Sequence, residues 1–227
     1  MKGAVAVAAA AFGACALVSA CAPVKMGAAA VVGSQRISID ALDSQVANLA
    51  AAYPPYASQV QITTAQMPGD VLSWLIRFAI RDQMAQDAGI TVSQADVEQA
   101  IAQIDAQARA QAQQSGQGNY SLRLLLVANG IPPDMVSGLG RYQAIELAYI
   151  KKYNNGTIPT STAGVNAATA QLNRGQCEAA KTLNIQVNPQ FGRLDYSQYS
   201  VVPAPDTLSR APGAAAKASP AATTPAC

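Results

Sequence analysis

PGDVLSWLIRFAIRDQMAQDAG, residues 68–89, is the stretch on which the fold turns. It opens on proline, whose missing N–H costs nothing in a first helical turn, and closes on glycine, the usual helix stop. At about 100° per residue, Ser73, Arg77 and Arg81 fall on one narrow polar stripe. Val71, Leu72, Leu75, Ile76, Ala79 and Ile80 cover most of the remaining circumference. A helix this apolar is covered on several sides. Residues 68–88 therefore predict the central helix of a mainly α domain.

Working outward, Thr91-Val92-Ser93 leads into a helix from Gln94 to about Gln114, with Ser93 and Asp96 at capping-box spacing. Its apolar stripe is thin (Val97, Ile101, Ile104, Ala108), so it packs along one edge. A Gly-containing break at residues 115–119 precedes a short helix, 120–128, stopped by Asn129-Gly130. Ile131-Pro132-Pro133 opens a further helix to about Tyr153, and a weaker helical stretch with two glycines covers 163–183. On the N-terminal side, Ala28 to Val32, a turn at Gly33-Ser34-Gln35 and Arg36-Ile37 read as two short strands. Ser38 then caps a helix to about Ala52 that buries Leu42, Val46 and Leu49. Residues 184–187 alternate like a strand. Short strands thus come from the two ends of a helical domain.

The outermost segments differ in composition. Met1-Lys2, an uncharged Ala/Val-rich run from Gly3 to Val18 and the small pair Ser19-Ala20 form an export leader, shorter than the roughly 20 residues that span a bilayer. Val18-Ser19-Ala20-Cys21 resembles the bacterial lipobox, so the expected mature protein begins at a lipidated Cys21. The alternatives are processing at Cys15, where Phe12 replaces the small branched aliphatic, or an ordinary secretory cleavage. Two acyl chains, at about 0.8 kcal/mol per CH₂, hold a protein to a membrane where one does not. After Pro203 the chain is Ala, Pro, Ser and Thr with a single leucine, too poor in apolar surface to repay ordering. The expected organisation is a leader (1–20), a lipidated linker (21–27), one domain (28–202) and a disordered tail (203–227). Losing Lys2 leaves 14 Lys+Arg against 13 Asp+Glu, a near-neutral chain without the clustered basic residues of a nucleic-acid surface.

There is no histidine, which removes the commonest general base and metal ligand. No phosphate loop or CxxC pattern occurs, and no metal or cofactor is implied. Asp40 and Asp43, like Asp96 and Glu98, sit in first helical turns where the dipole favours negative charge. Cys177, flanked by Arg174 and Lys181, has no base to serve a nucleophile; it and Cys227 could pair outside the cell, but with Cys227 at the end of the low-complexity tail both read by default as free thiols. Trp74 and Phe78, four apart, border the apolar arc and the arginine stripe of the central helix: a core edge or a ligand surface. Met135, Tyr142 and Tyr149 recur every seven residues as either a packing stripe or a groove lining, with Glu146 among them.

The segments VVGSQRISIDALD, DAGITVSQADVEQAI, ANGIPPDMV and LNIQVNPQFGRLD occur in an order that resembles the N-terminal chaperone domain of the SurA and PrsA type foldases. The resemblance runs from Ala28 to Tyr196; Val187, Asn188, Pro189, Phe191 and Gly192 match the terminal strand motif, with Gln190 where arginine is usual. It implies a helical domain whose C-terminal segment pairs with the N-terminal strand. Relatives insert parvulin-type prolyl isomerase modules where this chain has only Asn154 to Ser161, so no isomerase is expected. The implied function is a lipid-anchored, extracytoplasmic, non-enzymatic chaperone that holds unfolded or extended exported polypeptides in an apolar groove. Trp74, Phe78, Met135, Tyr142 and Tyr149 are the candidate contacts. The alternative is an adaptor lipoprotein for one envelope partner.

Overall fold

The computed structural model describes residues 27–114 and 120–204. Strands β1 (Ala28–Val32) and β2 (Gln35–Ser38) form an antiparallel hairpin pairing Val31 with Arg36. Gly33 turns it at φ +60, packed so closely on Leu183 that a Cβ would lie 2.9 Å from a Leu183 methyl. Helix α1 (Ile39–Ala52) starts where expected, the Ser38 hydroxyl accepting from Ala41 N–H at 3.1 Å. Helix α2 (Met67–Asp87) follows, then α3 (Gln94–Gln114), α4 (Leu122–Ala128), α5 (Val136–Tyr153) and α6 (Thr162–Thr182). The predicted 3-residue capping works: Asp96 accepts from the Ser93 N–H at 2.8 Å and its hydroxyl at 2.6 Å. Those bonds hold the Asp96 carboxyl below the usual carboxylate range, the hydroxyl contributing most.

Pro133–Met135 forms a 3-10 turn before α5, so that helix begins a few residues later than its sequence suggests. The weak stretch before residue 183 is a full 21-residue helix, α6, capped by Ser161, despite its glycines. The two ends of the helical domain meet in one sheet: β3 (Gln186–Val187) lies antiparallel to β1, giving the order β2-β1-β3. Asn188 adds two bonds to the same strand, its N–H to Ala29 O at 2.9 Å and its Nδ2 to Ala28 O at 3.0 Å. A second hairpin, β4 (Arg193–Asp195) with β5 (Ser200–Val202), adds strands that no alternating pattern in the sequence marks.

Helix α2 is central, as its apolar circumference requires. Val71, Leu72, Ile76 and Ile80 are fully buried in one core with Leu42 and Leu49 of α1, Val127 of α4, Ile131 of the following turn, Ile145 of α5 and Ala179 and Ala180 of α6. Helix α3 rests on α5 at the edge. The approach is close because Gly140 faces it: a Cβ there would lie 2.6 Å from Ile101 Cγ1 and 2.9 Å from Val97 O. The sequence leaves Cys177 a free thiol; in the structure it is instead buried on α6 and disulfide-bonded, which corrects that expectation. Pairing of this kind belongs to oxidising, extracytoplasmic settings. The expectations for Cys15, Cys21, Cys227, the leader and the tail beyond residue 204 lie outside the described residues. Among the described residues no helix is long and apolar enough to cross a membrane.

Candidate functional site

The polar stripe of α2 is turned largely away from water, with Arg77 half-buried between two buried residues. Ser73 is 4% exposed and Arg81 2%. The stripe seats the C-terminal half of the chain. Ser73 Oγ donates to Gly69 O at 2.6 Å and accepts from Val201 N–H at 2.7 Å. Arg77 Nη2 donates to Gln198 O at 3.1 Å. Arg81 Nη2 lies 3.3 Å from Glu146 Oε2 of α5 and 3.5 Å from Gln176 Oε1 of α6. Three polar residues at helical spacing thus dock β5, the β4–β5 turn, α5 and α6 in succession.

This docking shapes a cleft of about 590 Å³ between the first half of α2 and β5. Trp74, Phe191, Val201, Val202 and Pro203 give it apolar walls, and Asp70 and Arg77 add charge. Trp74 is held at the rim by donating Nε1–H to Asn129 O at 2.8 Å, and Arg77 lies 5.0 Å from its ring centroid. Burial lowers the Arg77 guanidinium from its usual value, with Tyr142 and Asp70 opposing, and burial raises the Asp70 carboxyl against the pull of Arg77. Ser73, the one hydroxyl on α2 here, has both of its hydrogen-bonding roles filled by backbone. The groups present can bind a chain segment by apolar contact and hydrogen bonds.

Of the residues singled out from sequence, Trp74, Phe78 and Tyr142 come together. Trp74 and Phe78 ring centroids are 5.8 Å apart, and Tyr142 is 6.1 Å from each. Tyr142 also carries the Arg81 guanidinium 4.0 Å above its ring. Met135 is placed elsewhere, 7% exposed beside a separate depression of about 400 Å³ with Ile37 and Leu75. Tyr149 is 8% exposed, its hydroxyl over Gly175, and walls a third depression with Tyr153 and Arg174. Burial, with Tyr153 next in weight, raises the Tyr149 phenol above its usual value. Glu146 sits in the tyrosine stripe because it is the counter-ion of Arg81. Sequence reasoning read Phe191, in the turn before β4, only as part of the terminal motif, and missed Val201 because a hairpin of three-residue strands leaves almost no alternating pattern to read.

No curated protein and no solved structure matches the chain. A family model described as the SurA-like N-terminal domain matches residues 1–137 of the 227. The match covers more than half of the chain, through the terminal hairpin, the central helix and the start of α5, so the protein belongs to the SurA-like N-terminal domain family, a chaperone-type, extracytoplasmic fold.

Proposed function

We propose that the protein is a lipid-anchored, extracytoplasmic holdase that binds unfolded or extended exported polypeptides without isomerase activity. The observation that carries this is the cleft between α2 and β5, apolar on two walls and rimmed by Trp74. Its size suits one or two client side chains, with desolvation of aliphatic and aromatic groups as the driving force. No nucleotide is needed for such a cycle. Between α5 and α6 only residues 154–161 intervene, too few for an isomerase module. Anchorage rests on the lipobox-like residues 18–21.

Trp74 is the single tryptophan and serves as its own reporter. Titration with a permanently unfolded polypeptide is expected to shift its emission, and the protein should suppress aggregation of an unfolding client at a near-stoichiometric ratio while leaving prolyl isomerisation uncatalysed. Phe191→Asp, which puts a charge in the cleft at a partly exposed position, should weaken suppression several-fold with the circular dichroism unchanged. Suppression undiminished by Phe191→Asp would move the client site out of this cleft. For the anchor, Cys21→Ser should abolish incorporation of labelled palmitate, and Cys15→Ser should not.

A second reading, an adaptor for one envelope partner, draws on a different surface. Tyr153, Ile158 and Val165 are the large hydrophobics exposed among the described residues, 45–46% each, and all three lie at the α5–α6 corner. If the protein protects no client, cross-linking from this corner in intact membranes is expected to return one dominant partner.

A further inference from the structure

The cleft holds one charge that its own residues leave unanswered. Asp70 stands in the first turn of α2 and lines the cleft, half-buried beside the apolar walls. Among the described residues nothing donates a hydrogen bond to its carboxylate and no ion pair reaches it; Arg77 acts on it through its field alone. Arg77 itself is engaged elsewhere, its Nη2 donating to Gln198 O at 3.1 Å and its guanidinium lying 5.0 Å from the Trp74 ring centroid. A helix dipole favours an acid in the first turn, and a solvated one needs no other account. At Asp70 burial outweighs the pull of Arg77, so the carboxyl is raised rather than lowered. Taking a carboxylate out of water without a partner is unfavourable, and a cation brought into the cleft supplies the partner.

We propose that the cleft, within the client-binding reading on which this rests, selects extended segments that carry a basic side chain two residues from an apolar one, with Asp70 as the counter-ion of the basic group. The spacing follows from α2. Asp70 and Trp74 are four apart on that helix, so their Cβ atoms lie roughly 6 Å apart on one face. In an extended chain, residues i and i+2 point to the same side and lie roughly 6.7 Å apart. An apolar client side chain seated against Trp74 and Phe191 therefore places its second neighbour at Asp70, whichever way the client runs. A Lys or Arg at that place keeps its methylene stem on the apolar wall and brings its charged head to the carboxylate. An acidic side chain there meets Asp70 with like charge, and a neutral one leaves the carboxylate without a counter-ion. Apolar burial supplies the affinity, and Asp70 supplies the discrimination among clients.

Trp74 reports the test in the full-length protein, with peptides that lack tryptophan. Three short, end-capped peptides carry a single Phe and differ only at the residue two beyond it, which is Lys, Gln or Glu. Titration followed by Trp74 emission should give the Lys peptide a Kd about fivefold lower than the Gln peptide, as a charge-assisted hydrogen bond gains over a neutral one, with the Glu peptide weakest. Asp70→Asn should bring the Lys and Gln peptides to equal affinity, and Asp70→Glu should keep the preference for Lys. Salt at about 1 M should narrow the preference in the wild-type protein, a check that holds however the variants fold. Equal affinities for the three peptides, tightest binding of the Glu peptide, or a Lys preference that survives Asp70→Asn or high salt each overturn the selection and leave the holdase standing. If none of the peptides binds, the selection falls, and the aggregation assay on the same protein decides whether the holdase reading falls with it.

Discussion

Arg81 is the residue whose surroundings the sequence hid most completely. It carries a full charge at 2% exposure, shares one nitrogen between Glu146 and Gln176, and stacks on Tyr142. Its Nε and Nη1 make no hydrogen bond among the described residues. Removing such a charge from water costs several kcal/mol, and only a close partner offsets it, so the pair is asymmetric under mutation. Glu146→Ala strands a buried cation and is expected to lower stability by about 3 kcal/mol. Arg81→Met fills similar space without the desolvation cost, and Glu146, with a quarter of its side chain already exposed, can turn to water; the loss there should be much smaller. Urea denaturation midpoints of the two variants decide it: equal losses would mean that Arg81 contributes packing rather than a compensated charge. From sequence, Arg81 is legible as one of three polar residues on a stripe. Burial of the stripe is not, because the elements covering it lie about 65 to 130 residues further along the chain.

Helices were legible as elements wherever apolar residues repeat at helical spacing, and α2, α3 and the Ser38 and Ser93 caps form where their residues dictate. How two helices approach was not. Gly140 reads as a weak helical residue, with an intrinsic cost of about 1 kcal/mol relative to alanine. In the structure it is what lets α5 reach the backbone of α3 at Val97 and the side chain of Ile101. Propensity alone therefore predicts that Gly140→Ala stabilises, and packing predicts the reverse. Overpacking against a backbone carbonyl costs about 1–3 kcal/mol, so the net expectation is a loss near 1 kcal/mol, and for Gly140→Val a larger one. Thermal melts of both variants give the sign; stabilisation by Gly140→Ala would mean that the helices separate at little cost. Strands of three residues lie at the other extreme. Strands β4 and β5 have too short a pattern to announce themselves and exist because Ser73 and Arg77 hold β5 and the turn before it.

On the scale of the molecule, the strands that bracket the helices complete one another. Without β3, the hairpin of β1 and β2 would lose Asn188 and Val187 from one edge and uncover Ala29 and Ala30, both fully buried. A chain ending at Leu183 is expected to lose its cooperative thermal transition, whereas one ending at Ala204 keeps every element described above and should retain its far-ultraviolet circular dichroism. A cooperative melt in the shorter chain would show that the helices fold independently of the sheet. What the sequence determined by itself is everything carried by local periodicity and end chemistry: a central apolar helix, an edge helix, their caps, the turn at Gly33, and the order of segments that marks the family. Only the tertiary structure decided that α2's polar stripe would become a docking ridge, that Trp74 would meet Phe191 and Val201 across a cleft while Met135 and Tyr149 went to separate depressions, and that Cys177 would be bonded. The physical reason is range. Helical periodicity and capping act over about four residues and are written contiguously, whereas a cleft, a buried ion pair and a disulfide join positions separated by tens of residues, and their energies depend on what excludes the water between them.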